Sequence, residues 1–322
     1  MSSSTEVFHP LDDKDAGAVE AMRQALAPIK GTINNPASRG VFDEVMEHTP
    51  DAPGITYEPG SVAGVSGIWC LPADRRTDTL ILYCHGGAYI LGSPHAFRHL
   101  AGQVAARTRS ATFVPDYRLA PEHPFPAAVT DLVSVYRGLC DLAPRSIAIA
   151  GDSAGGGLAL VLLALMQTQA ASGQVLPPVA GVVMSPWTDL ALSGASMIER
   201  AEADPLLTRD MLRKTAELYL NGQPADLATA SPLYGSLANL PPVHIHVGED
   251  EILLDDSRRY ARRAEAAGSD VHLNIWQGMA HVFPANIGTL AASGKALDLI
   301  GQSLTAGFDR RSQYRSANYS RN

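Results

Sequence analysis

The tightest constraint on the fold lies between residues 147 and 169. The apolar run Ile147-Ala148-Ile149-Ala150 leads straight into Gly151-Asp152-Ser153-Ala154-Gly155, with further glycines at 156 and 157, and then into a long apolar segment. A short run with no polar residue reads as a strand buried on both faces, and the segment after it is long enough for a helix. A strand that turns so abruptly into a helix opens a βα unit. Ser153 at that turn needs a strained backbone, and the flanking glycines relieve the crowding. It also sits where the free N–H groups of a helix N-terminus favour negative charge. Ser153 is therefore the candidate nucleophile.

The same alternation extends along the chain. Strands are predicted at 55–57, 62–71, 80–84, 111–115, 147–150, 179–184, 243–247 and 271–276. Helices are predicted at 15–29, 39–47, 95–108, 127–140, 154–169, 256–267 and 290–304. Apolar strands alternating with helices imply an α/β fold, with a mostly parallel sheet covered on both faces. Two segments interrupt the pattern, and both are assigned to a helical cap over the C-terminal edge of the sheet, where ligands bind in such folds. The expected organisation is N-terminal cap helices at 1–50, a catalytic core in two parts (51–189 and 241–322) and an inserted cap segment at 190–240.

Composition narrows the function. With 322 residues and 46% hydrophobic content, the chain can bury the core of one domain carrying an insertion. Asp and Glu outnumber Lys and Arg by 33 to 25, for a formal charge of −8, and no basic tract marks a nucleic-acid surface. Cys70, Cys84 and Cys140 match no zinc or CxxC spacing and read as buried free thiols of a reducing compartment. The first residues lack the basic and apolar regions of a signal peptide, and the apolar stretch 158–166 is too short to span a bilayer. The expectation is a cytoplasmic protein with no membrane or nucleic-acid partner.

A second motif precedes the serine. His85-Gly86-Gly87-Ala88-Tyr89 follows the predicted strand 80–84. Adjacent glycines let a backbone approach a substrate carbonyl closely. The N–H groups of Gly86, Gly87 and Ala154 are the expected oxyanion donors.

Together with Tyr117-Arg118-Leu119-Ala120-Pro121-Glu122, Phe125-Pro126-Ala127-Ala128 and Gly278-Met279-Ala280-His281-Val282-Phe283, these motifs make residues 79–284 resemble the hormone-sensitive-lipase-like family of α/β-hydrolases. The departure is Ala88, where many members carry a third glycine. The resemblance implies the α/β-hydrolase fold and a serine carboxylesterase activity on small-molecule esters of short to medium acyl chain; that acyl-transfer chemistry needs no metal or organic cofactor, and no ligand cluster in the sequence suggests one. It also implies a homodimer, built on the last strand (271–276) and its adjacent helix, and bracing roles for Asp152, Tyr117 and Glu122.

In this fold the acid and then the histidine follow the serine. His281 is the last histidine, in a glycine-containing loop after the final strand. His85 belongs to the oxyanion loop, and His244, His246 and His272 lie inside strands. His95, His99 and His123 fall on helices or loops, and His9 and His48 lie near the N-terminus. Glu249-Asp250-Glu251 all follow the strand 243–247. The family pattern D-x-L-x-D fits residues 251–255, Glu-Ile-Leu-Leu-Asp, with glutamate in the first place. Glu251 is accordingly the expected acid, and Asp250 is its rival. Trp187, in Ser185-Pro186-Trp187-Thr188-Asp189, is either a pocket residue or a packing residue between cap and core. Tyr89, Phe283 and Met279 flank the motifs and are further pocket candidates. Lactone or amide hydrolysis would use the same residues. A ligand-binding receptor on this scaffold is the non-enzyme alternative. The plant gibberellin receptors resemble the family but lack the histidine that is present here.

Overall fold

The computed structural model describes residues 5–319. In chain order the elements are β1 (Thr5–His9), α1 (Asp13–Leu26), α2 (Arg39–Glu47), β2 (Ile55–Val62), β3 (Val65–Pro72), β4 (Arg76–Cys84), α3 (Pro94–Thr108), β5 (Ser110–Pro115), α4 (Ala127–Asp141), β6 (Ser146–Asp152), α5 (Ser153–Ala171), β7 (Gly181–Met184), α6 (Ser196–Glu199), α7 (Arg209–Leu220), β8 (Val243–Gly248), α8 (Leu254–Ala266), β9 (Val271–Trp276) and α9 (Ala291–Tyr319). Among the described residues one nine-stranded sheet runs in the order β1-β9-β8-β7-β6-β4-β5-β3-β2. Only the β2–β3 and β3–β5 pairings are antiparallel.

β6 lies at the centre of this sheet and is buried along its whole length. Helices on both faces exclude water, so the strand has no polar side and carries the continuous apolar run seen in the sequence. α5 packs behind β6 and β7. By length and composition α5 could cross a bilayer, but most of its residues are buried against the sheet and neighbouring helices. A core helix surrounded by protein is apolar on all sides for that reason.

Three features depart from the sequence expectation. The predicted strand 62–71 is broken at Ala63 and Gly64, whose φ of +50° and +81° make a tight hairpin turn between β2 and β3. α9 runs to Tyr319, well beyond the predicted end at 304. The third is β1, which no pattern had marked. It pairs in parallel with β9 from Thr5↔His272 to His9↔Trp276, and the His9 ring stacks on Trp276 at 3.9 Å. The strand expected to carry a dimer contact is therefore covered at its outer edge by the chain's own N-terminal segment.

The cap is tied together by polar contacts. Arg23 of α1 donates to the carbonyl of Ala203 at 2.7 Å, and Lys30 donates to that of Ala201 at 2.6 Å. The Gly31 N–H donates to Leu206 O at 2.9 Å. Asp15 accepts the first two N–H groups of α9, those of Ala291 and Ala292, at 2.7 and 2.9 Å. A buried carboxylate there satisfies helix donors that have no intrahelical acceptor, which anchors α1 to the core.

Candidate active site

The turn between β6 and α5 holds Ser153 at φ +54°, a left-handed conformation that costs a non-glycine residue energy. What permits it is the absence of side chains around it. A Cβ on Gly155 would lie 2.1 Å from the carbonyl oxygen of Cys84 and 2.2 Å from that of His85. Glycine is thus required for α5 to start this close to the β4 loop.

His281 reaches this serine from the loop after β9. Its Nε2 lies 2.8 Å from Ser153 Oγ, and its Nδ1 lies 2.8 Å from Glu251 Oε2. A carboxylate can only accept, so the proton sits on Nδ1 and leaves Nε2 to accept from the serine. Glu251 is fully buried. Its second oxygen accepts from Ser185 Oγ at 2.7 Å and from the Gly248 N–H at 2.6 Å. Ser185 in turn accepts the Val282 N–H at 3.0 Å, which joins the loops carrying the acid and the histidine. Asp250, the rival acid, forms an ion pair with Arg23 of α1 instead. Three consecutive acids thus have three partners, the third being Glu249 with Arg200 at 3.5 Å.

The electrostatics suit a base. Burial disfavours charge on His281, but the hydrogen bond and charge of Glu251, helped by Asp204 and Asp152, outweigh it and raise the imidazole above its ordinary value. Asp152 is itself pushed up to about 7 by burial, against the opposing effects of Tyr83, His281 and the Gly86 N–H. Burial lowers His85 to about 4, so it is neutral near pH 7. Its Nδ1 bonds Gly86 O at 2.8 Å, and Tyr117 stacks on it at 4.3 Å while donating to its carbonyl at 2.7 Å.

The oxyanion loop differs from expectation at one position. The Gly86 N–H is taken by Asp152 Oδ1 at 3.1 Å and cannot serve a substrate. Gly87 and Ala88, at φ +118° and +52°, border the cavity instead. Among the described residues no protein acceptor meets their N–H groups. The Ala154 N–H lies in the first turn of α5 and has no intrahelical partner. Gly87 and Ala88 at the cavity border, and Ala154 next to Ser153, are the candidate donors left without a protein acceptor. The alanine that departs from the family motif is therefore one of them, through its backbone.

A cavity of about 370 Å³ opens at Ser153 and His281. Both cap segments wall it, with Met22 and Leu26 from α1, Phe42 and Met46 from α2, and Leu206 and Met211 from the inserted segment. None of the three aromatic pocket candidates borders it. Trp187 is fully buried and donates to Asp189 O at 3.1 Å. Tyr89 is buried between Trp187 and Tyr219, stacking on the latter at 3.9 Å. Phe283 packs on Trp276 at 5.4 Å, in the cluster that also holds Met279. All three are buried in the core, and much of the cavity wall beyond Ser153 and His281 comes from cap residues that no motif singles out. Glu122, expected to brace a loop of the core, pairs with Arg39 of α2 at 2.7 Å and so fastens the cap.

A mostly parallel sheet with a strained serine at the central strand–helix turn defines an α/β-hydrolase. The model of the α/β-hydrolase fold family matches residues 81–285. An acetyl-hydrolase of Streptomyces hygroscopicus is 40% identical over 251 residues, spanning 76% of this chain and 82% of the relative. An esterase of Acinetobacter venetianus is 37% identical over 263 residues, 78% and 85% of the two chains. Among solved structures, an esterase of the bacterial hormone-sensitive lipase family superposes with a TM-score of 0.83 at 34% identity, covering 92% of this chain and 98% of the other. The structure of EstE5, soaked with ethyl alcohol, gives 0.84 at 35% identity over 92% and 99%. The chain belongs to the hormone-sensitive-lipase-like esterases of the α/β-hydrolase family and is a carboxylic-ester hydrolase.

Proposed function

We propose that the protein hydrolyses short- to medium-chain acyl esters through a Ser153–His281–Glu251 triad and an acyl-enzyme intermediate. The unbroken hydrogen-bonded line from Ser153 Oγ through His281 to Glu251, with both links at 2.8 Å, carries this reading. His281 takes the serine proton as Oγ adds to the ester carbonyl. The N–H groups of Gly87, Ala88 and Ala154 hold the resulting oxyanion. As the carbonyl reforms, the alkoxide leaves with the proton from His281, and Ser153 remains acylated. Water then adds by the same route, its proton passing through His281 to Ser153 as the acid departs.

Glu251 holds the Nδ1–H tautomer and stabilises the imidazolium without taking the proton. Ser185 and the Gly248 N–H fix its second oxygen, and so seat the longer glutamate side chain. The cavity volume of 370 Å³ lies at the small end for ligand sites and its walls are mainly apolar, which favours a small neutral ester over a triglyceride.

The test is a kinetic comparison of Glu251→Gln and Asp250→Asn on p-nitrophenyl esters of two to twelve carbons. Glu251→Gln is expected to lower kcat by about 10²–10⁴. Asp250→Asn removes only an anchor of α1 and should stay within roughly tenfold of the parent. The reverse order would make Asp250 the acid, and peak activity on the longest ester would refute the chain-length assignment.

A further inference from the structure

Asp204 stands outside the proposed triad, and its sequence context, Ala203-Asp204-Pro205, carries no motif. It is nevertheless fully buried. Its Oδ1 accepts the N–H groups of Leu206 and Leu207 at 2.9 and 2.8 Å, and its Oδ2 accepts that of Ile252 at 2.9 Å. Leu206 and Leu207 belong to the cavity wall, and Ile252 directly follows Glu251. One carboxylate therefore pins the inserted cap segment to the loop that carries the acid.

Burying a carboxylate is costly unless donors or a counter-charge compensate it. Three converging N–H groups supply part of that compensation. The nearest place for a counter-charge is His281, because Ile252, whose N–H Asp204 accepts, directly follows the Glu251 that bonds the imidazole. Three acidic side chains act on that imidazole, each from a different element: Glu251 from the loop after β8, Asp204 from the cap, and Asp152 from the end of β6. Asp152 is committed to Tyr83 and the Gly86 N–H. Asp204 has no side-chain cation among its hydrogen-bond partners.

We propose that Asp204 is a positioning residue by which the docked cap brings a second carboxylate to bear on His281 and stabilises the imidazolium formed as Ser153 attacks. The role rests on His281 being the base. It makes the cap more than a cover, because the group that shapes the pocket wall also supplies charge to the chemistry. A cap lifted from the core would take that charge away with it.

Three variants test this in the full-length enzyme, by kcat, KM and the pH profile of kcat/KM. Asp204→Asn keeps the size and removes the charge. It should lower kcat by about ten- to hundredfold and move the acid limb down by roughly half a unit or more. Asp204→Glu keeps the charge and should keep the acid limb of the parent enzyme, whatever its kcat. If Asp204→Asn fails to fold, Asp204→Ser takes its place, since its small side chain admits water to the three N–H groups. An acid limb that stays put in the uncharged variant, with only KM raised, overturns the proposal and leaves Asp204 a strut of the cap. His281→Ala runs alongside. Substantial turnover in that variant would bring down the triad reading itself, a result distinct from any shift at Asp204.

Discussion

At the scale of single residues, the pH dependence follows from His281. In the proposed mechanism His281 must be neutral to accept the serine proton, and its environment raises its pKa above the ordinary imidazole value. Activity should therefore be lost as pH falls through a value above that of a free imidazole, and be retained on the alkaline side. Replacing Glu251 by Gln removes the largest influence that favours the cation, so the residual activity of that variant should show its acid limb at lower pH. A pH–rate profile of the two proteins checks the sign, and a limb displaced upward would contradict it. Order and spacing along the chain single out Ser153, His281 and Glu251 rather than Asp250, and the fold brings those three into hydrogen-bond contact. The candidate oxyanion donors are less legible. Gly86 and Gly87 look equivalent in sequence, and only the fold shows that Asp152 claims the N–H of Gly86.

At the scale of elements, the β6–α5 turn tolerates no side chain at Gly155. A methyl group there would meet two backbone carbonyls, neither of which can move without shifting β4. Gly155→Ala should cost about 3 kcal/mol or more and abolish activity, read by chemical denaturation and ester turnover. Under the proposed function the cap elements, which wall the cavity, set substrate size. Met211, at the start of α7, projects into the cavity wall. Met211→Trp is expected to cut kcat/KM for a hexanoyl ester by about tenfold or more, and to leave an acetyl ester within roughly threefold. Equal losses on both esters would mean that α7 does not set chain length. The cap segments were legible as interruptions of the βα alternation. Their lining residues were not, because packing against a cavity rather than a core leaves no distinct periodicity.

At the scale of the whole molecule, β1 closes one end of the sheet. Removing residues 1–9 would bare the backbone edge of β9 and unstack His9 from Trp276. A loss of about 2–3 kcal/mol is expected, which for a chain of this length corresponds to a melting point lower by roughly 3–5 °C. An open strand edge also invites pairing between copies, so the truncated protein should show a larger mass in light scattering than the parent. An unchanged melting point would show that the strand adds nothing to the fold.

The sequence by itself determined the βα framework, the family, and the turn at which Ser153 sits. These depend on local signals: apolar runs, glycines at a turn, and motif spacing. Only the tertiary structure decided that Asp152 takes the Gly86 N–H, that Trp187, Tyr89 and Phe283 lie in the core, and that β9 is not the sheet edge. It alone showed Asp204 buried between the cap and the loop after β8. Each of these depends on contacts between segments far apart in the chain, where competition for one hydrogen-bond partner or one packing space is settled by three-dimensional proximity. No local pattern records the outcome of that competition.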